Sequence, residues 1–143
     1  NEYDVVYAID TNAKDINDQW VSVCYSVRND KAKNEVYMLG PIVFENNRKV
    51  TEKTNWRELI KFILKDKEYN PSSEIAIVVD SDYGNISKYN SRELPIVDNF
   101  YLPDNFKLIY ASTDSGIENL LNKLISECDK LGKQFLKKYE AKL

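Results

Sequence analysis

Histidine is absent from the 143 residues of this chain, and cysteine occurs only twice, as Cys24 and Cys128. The first absence removes Ser-His-Asp and Cys-His nucleophile activation, and with them any His-ligated zinc. The scarcity of cysteine excludes a disulfide framework and CxxC metal fingers, and it favours a reducing, cytoplasmic compartment. Long apolar runs are missing as well, since stretches such as Ile75 to Val79 fall far short of the roughly 20 residues that cross a bilayer. Nor is there an excess of positive charge. Twenty Lys and Arg against 23 Asp and Glu leave a net charge of -3 and a pI of about 5.1. No surface-wide basic field therefore drives attachment to nucleic acid or membrane, and an anionic partner has to be held locally. Without internal repeats, low-complexity tracts or linkers, 16.7 kDa at 43% hydrophobic residues fits one domain over residues 1–143. The chain starts at Asn1 with neither Met nor an apolar leader, as expected of a processed chain or a segment excised from a longer one.

What remains for chemistry near neutral pH is carboxylate, Lys, Tyr and hydroxyl, and carboxylates holding a hard divalent cation lead that group. Their setting follows from the hydropathy pattern. Tyr3 to Asp10 is apolar on both parities and predicts a central strand covered on both faces. Trp20 to Val27 alternates and predicts a half-exposed strand, and Glu35 to Phe44, broken by Gly40-Pro41, predicts a third. The polar stretch Asn29 to Asn34 would join the last two as a hairpin. Period then changes: Trp56, Leu59, Ile60, Ile63 and Leu64 recur at helical spacing behind a Thr54-Asn55 cap, up to Asn70-Pro71. Glu74 to Val79 predicts a buried strand, Tyr83 to Ser91 a short helix, Arg92 to Asn105 a loop, and Phe106 to Ala111 a last strand. A long amphipathic helix follows, with Ile117, Leu120, Leu121, Leu124, Ile125, Cys128, Leu131 and Phe135 on one face. The order βββαβαβα implies an α/β fold with a mixed five-stranded sheet and helices on both faces. Ligands in such sheets collect beyond the carboxyl ends of the central parallel strands.

Asp10 and Asp80 each directly follow an apolar strand at that end. If those strands are parallel neighbours, the two side chains start about 5 Å apart, and like charges at that separation call for a cation or a proton. An oxygen-ligated Mg2+ or Mn2+ is the natural partner. Glu58 is the expected third member, on the border between the solvent arc of Arg57, Lys61 and Lys65 and a buried arc of Leu59, Phe62 and Ile63. Equally, Asn55-Trp56-Arg57-Glu58 reads as an N-cap with its reciprocal glutamate.

These residues resemble the ribonuclease H family, type 1, from Asp10 to about Ile125. Asp10 in YAIDTN resembles the first-strand aspartate of the family, Asn55-Trp56-Arg57-Glu58-Leu59 its Asn-x-x-Glu-Leu stretch, and Val79-Asp80-Ser81-Asp82-Tyr83 its Thr-Asp-Ser-x-Tyr motif. The sequence departs from the pattern in the last helix, where Asn122 stands for the fourth carboxylate. Asn offers a metal one neutral oxygen and no charge. Glu118, one turn earlier, resembles a glutamate found there in some members, and Asp114 could substitute. Equally, Ser115 as N-cap with Glu118 three residues on would satisfy the helix start without any metal. The loop that carries a mobile histidine in many members reads Thr113-Asp114-Ser115-Gly116 here.

The resemblance implies a ribonuclease H-like fold and a metal-dependent endonuclease that cleaves the RNA strand of RNA-DNA hybrids with Mg2+ or Mn2+. Asp10, Glu58, Asp80 and Asn122 would be its catalytic residues, with Asp10, Glu58, Asp80 and Glu118 as metal ligands. Asn12, Asn55 and Ser81 would be placed to read 2'-hydroxyls across the minor groove. The alternative is a catalytically impaired ribonuclease H-like module that binds or scaffolds, which Asn122 and the missing histidine favour. Ile9-Asp10-Thr11-Asn12 also resembles the opening of PIN-domain ribonucleases, but there a helix should follow where Trp20 to Val27 alternates as a strand. From Lys130 to Leu143 five lysines face one glutamate. That end reads as a solvated helix face with favourable dipole placement, the alternative being a phosphate contact.

Overall fold

A computed structural model describes residues 3–33, 35–46, 51–80, 86–110 and 116–143, with the side chains of 46 and 116–121 outside that description. The elements run β1 (Val5–Ile16), β2 (Gln19–Asp30), β3 (Glu35–Asn46), α1 (Glu52–Lys65), β4 (Ile75–Val79), α2 (Ser87–Asn90), β5 (Phe106–Tyr110) and α3 (Gly116–Ala141). They form an α/β fold around one mixed five-stranded sheet of order β3-β2-β1-β4-β5. Strand β1 pairs antiparallel with β2, and β2 with β3, while β1, β4 and β5 run parallel. Among the described residues no helix is long and apolar enough to cross a membrane.

Parity along β1 assigns the two faces, as a period of two residues requires. Tyr7 and Ile9 pack with Ile77 and Val79 under Trp56, Leu59, Ile60 and Ile63 of α1. Val6 and Ala8 pack on the other face with Val78 under Leu124 and Cys128 of α3. All five residues of β4 are buried, which explains its unbroken apolar run. The expected helices on both faces are therefore present.

Several boundaries differ from expectation, and two of them matter for the site. Strand β1 does not stop at Asp10 but continues to Ile16, where Asn17 and Asp18 take φ of 52° and 63° and turn the chain directly into β2. Positive φ at both central residues is the tight hairpin geometry whose twist suits the flanking strands. Helix α1 begins three residues before the expected cap: Thr51 is the N-cap and its Oγ1 accepts from the Thr54 amide at 3.3 Å. Glu52 therefore lies inside the helix. The helix also ends at Lys65, well before Asn70.

Arg92 ties several points of the loop after α2 together. Arg92, itself at φ 61°, donates to the carbonyls of Leu102 at 3.2 Å, Pro103 at 2.5 Å and Phe106 at 3.0 Å, and also to that of Asn90. A planar fork with five N–H groups can serve several acceptors at once, which an ammonium on a flexible stem does not reproduce. Arg92→Lys is expected to destabilise the fold by about 2–4 kcal/mol, because carbonyls are left without donors. A urea melt with a midpoint shift below a few tenths of that would remove the clamp role.

Candidate metal centre

The parallel register of β1 and β4 runs from Val5 opposite Ile75 to Ala8 opposite Val78. Two residues further it brings Asp80 level with Asp10, at the carboxyl ends of the two central strands. Asp10 is buried, only 7% exposed. Its carboxyl is pushed up to about 8, first by burial, then by a hydrogen bond shared with Asp129 and by the charges of Glu52, Asp129 and Asp80. Asp129 moves the other way. Its partial burial is outweighed by hydrogen bonds from Lys133, Asp10 and Asn12, which hold it below the ordinary range. The two shifts oppose one another because one hydrogen bond links the carboxyls, favouring the protonated form of Asp10 and the charged form of Asp129.

Asn12 braces this arrangement from the same strand. Its Nδ2 donates to Asp10 Oδ2 at 3.1 Å and to the Asp129 carbonyl at 3.3 Å. Helix α3 comes close enough for this only because residue 132 is glycine. A Cβ there would stand 2.5 Å from Asn12 Nδ2 and 3.2 Å from its Cγ.

The helix α1 contributes Glu52, not Glu58. Glu52 is 3% exposed, and both its carboxylate oxygens are buried without a hydrogen-bond partner of good geometry. Burial pushes it up to about 7; the nearby Thr11 hydroxyl and Trp56 indole act against that, and the charge of Asp80 adds to it. Glu58 instead lies on the outer side of the helix, where it accepts from Arg57 Nε at 2.9 Å, while the same guanidinium reaches Asp98 at 3.0 Å. The reason is rotational. Phe62, expected in the buried arc, is 54% exposed, and with it the whole Glu58 side of the helix turns to solvent. The sequence did carry a signal for Glu52. Traced backwards in steps of four, the buried stripe Ile63, Ile60, Leu59, Trp56 lands on Asn55 from Leu59 and on Glu52 from Trp56.

Other expected residues also move. Asn55 is fully buried under the sheet end and donates to Thr11 Oγ1 at 2.7 Å. Asn122 does not join Asp10. It lines a separate open hollow on α3 with Lys123, Ser126, Glu127 and Lys130, whereas Asp129, seven residues on and about 10 Å further along the axis, supplies the acid that Asn122 was expected to replace. Ser81, Asp82, Asp114 and Ser115 lie outside the described residues, as does the side chain of Glu118.

Asp10, Glu52, Asp80 and Asp129 thus come from four elements to one end of the sheet. Hard oxygen donors, no histidine, and a buried carboxylate with unsatisfied oxygens fit Mg2+ or Mn2+ in chemistry. In geometry the fit is looser, for among the described residues no three Asp, Glu or Cys side chains stand close enough to enclose a metal ion.

Two expectations follow from this geometry. Because the folded values of Asp10 and Glu52 lie above those of an unfolded chain, the native state binds more protons between the two, and stability falls as pH rises. The thermal midpoint is expected to drop from pH 5 to pH 8.5 without divalent ions, and Asp10→Asn should raise it by several degrees at pH 8.5 only; a flat profile would show that the carboxyls are not repelling. Gly132→Ala would gain about 1 kcal/mol of helix propensity but displaces Asn12. It should destabilise the wild-type chain and become neutral or stabilising in an Asn12→Ala background, where the clash is gone. Equal effects in both backgrounds would dissociate Gly132 from the brace.

No protein family and no curated protein matches the chain. Among solved structures it is similar to endonuclease V of Ciona intestinalis, determined in complex with a 24mer DNA containing an inosine followed by a ribo-adenosine. The TM-score is 0.43 and the identity 14%, over 93% of this chain and 57% of that one, so the chain spans little more than half its length.

Proposed function

We propose that the chain is a metal-dependent nuclease whose centre is formed by Asp10, Asp80, Glu52 and Asp129. The observation that carries this is the juxtaposition of Asp10 and Asp80 at the ends of adjacent parallel strands, with a buried carboxylate, Glu52, brought to the same place by α1. Gathering these acids costs stability, since Asp10 and Glu52 are desolvated beside like charges. Asp10, Asp80, Glu52 and Asp129 would hold a divalent cation that offsets that cost and would supply water activation and leaving-group stabilisation beside a phosphodiester.

The side chains themselves do the positioning. Asn12 fixes one oxygen of Asp10 and ties it to α3, and Asp129 accepts a hydrogen bond from the Asp10 carboxyl when the pair is not engaged with a cation. Cation binding has to displace that proton, so affinity should increase with pH. Of nucleic-acid substrates, the resemblance to ribonuclease H favours the RNA strand of an RNA-DNA hybrid. The second reading, a binding module without catalysis, is favoured by Lys133, whose ammonium sits 2.8 Å from Asp129 and neutralises one acid already.

The test pairs binding with cutting. Mg2+ or Mn2+ should raise the thermal midpoint at pH 8, and a labelled RNA-DNA hybrid should be cleaved in its RNA strand. Asp10→Asn and Glu52→Gln should each abolish cleavage by at least about a hundredfold while the fold persists, and Glu58→Gln should leave the rate within about twofold. A metal shift without cleavage would favour the binding module, and no shift would make the acids structural.

A further inference from the structure

Beside the carboxylates, α3 and the extended end of β1 enclose an open groove of about 620 Å³ lined by Asn12, Lys14, Asp129, Lys130, Lys133 and Lys137, with Leu136 in its floor. Two of its walls, Asn12 and Asp129, are the residues that hold Asp10. Groove and acidic centre are thus one continuous surface. Residues 130, 133, 134 and 137 follow the spacing that puts side chains on one helix face. Lys14 is paired with Glu140 at 2.8 Å and Lys133 with Asp129 at 2.8 Å, whereas Lys130 and Lys137 form no ion pair among the described residues. A chain of net charge -3 therefore concentrates four cations along one concavity.

We propose that this lysine groove is a phosphate-backbone track that holds one strand of nucleic acid and leads it to Asp10. The proposal deepens the nuclease reading and takes from it the class of ligand. Concavity disfavours a flat lipid surface. An extended polyanion with regularly spaced charges matches cations regularly spaced on a helix face. Lys130 and Lys137 are about 10 Å apart along the axis, close to three steps of a duplex strand at about 3.4 Å each. The acids at the head of the groove repel a polyanion until they are neutralised, so the lysines supply the attraction that the net charge does not.

The experiment measures binding of a fluorescein-labelled RNA-DNA hybrid and of its single strands across a salt series, in Ca2+. Wild type should bind one of these probes with a linear salt dependence. Lys130→Glu combined with Lys137→Glu should weaken binding at least tenfold and reduce the slope by about two, with an unchanged melting profile. Lys107→Glu, on β5, is the control for net charge and should leave both unaltered. Asp10→Asn should bind as well as wild type or better, so loss of cutting and loss of binding are read on different variants. Should wild type not cleave yet lose binding in the double lysine variant, the track stands and the nuclease reading falls. An unchanged affinity in the double variant, no binding by wild type at low salt, or equal binding to anionic vesicles or polyglutamate would overturn the track.

Discussion

Like charges at the end of a buried strand pair are the constraint on which this structure turns. Asp10 and Asp80 are carried there by register alone, because β1 and β4 are neighbours in parallel and both end their apolar runs at the same level. Helix α1 adds no cation to offset the repulsion: its supporting residues are Glu52 and Asn55 at the buried end of its stripe. The fold responds from the other face. Helix α3 presses a glycine against Asn12, and that approach lets one amide hold Asp10 and the helix backbone together. The packing of a helix and the protonation of a carboxyl are here one arrangement.

Sheet, helices and their order were legible from periodicity, because the buried runs of β1 and β4 and the stripes of α1 and α3 are strong and long. The site was legible only where it lies in the strands. Asp10 and Asp80 announce themselves by ending apolar runs. Glu52 does not, because a helix start two or three residues earlier than Thr54-Asn55 is not visible in hydropathy, and an exposed Phe62 mimics a core position and rotates the wheel toward Glu58. Asp129 was hidden for another reason. Which turn of a 26-residue helix meets a given strand depends on tertiary packing, and the Gly132 contact that sets it involves a residue 120 positions away.

Pattern matching to a known family led to the right elements, while the structure places some of the expected side chains away from Asp10. The Asn-x-x-Glu-Leu stretch is present, yet its Asn is buried against Thr11 and its Glu faces Arg57. Sequence motifs place residue types along a chain, whereas function depends on azimuth, which a shift of one helix turn preserves and a boundary error alters. In this chain the acidic character of the site survives while the residues that provide it change.

Strand lengths in the central pair are unequal: β1 has 12 residues and β4 has five. Past the level of Asp10 the sheet continues only on the β1, β2 and β3 side, as a three-stranded arm backed by the last turns of α3, where Ile16, Val21 and Leu136 pack together. The centre consequently sits at the foot of a step, walled on one flank and open on the other. The two edges are dissimilar, so the two directions in which an extended ligand could lie across the step are not equivalent.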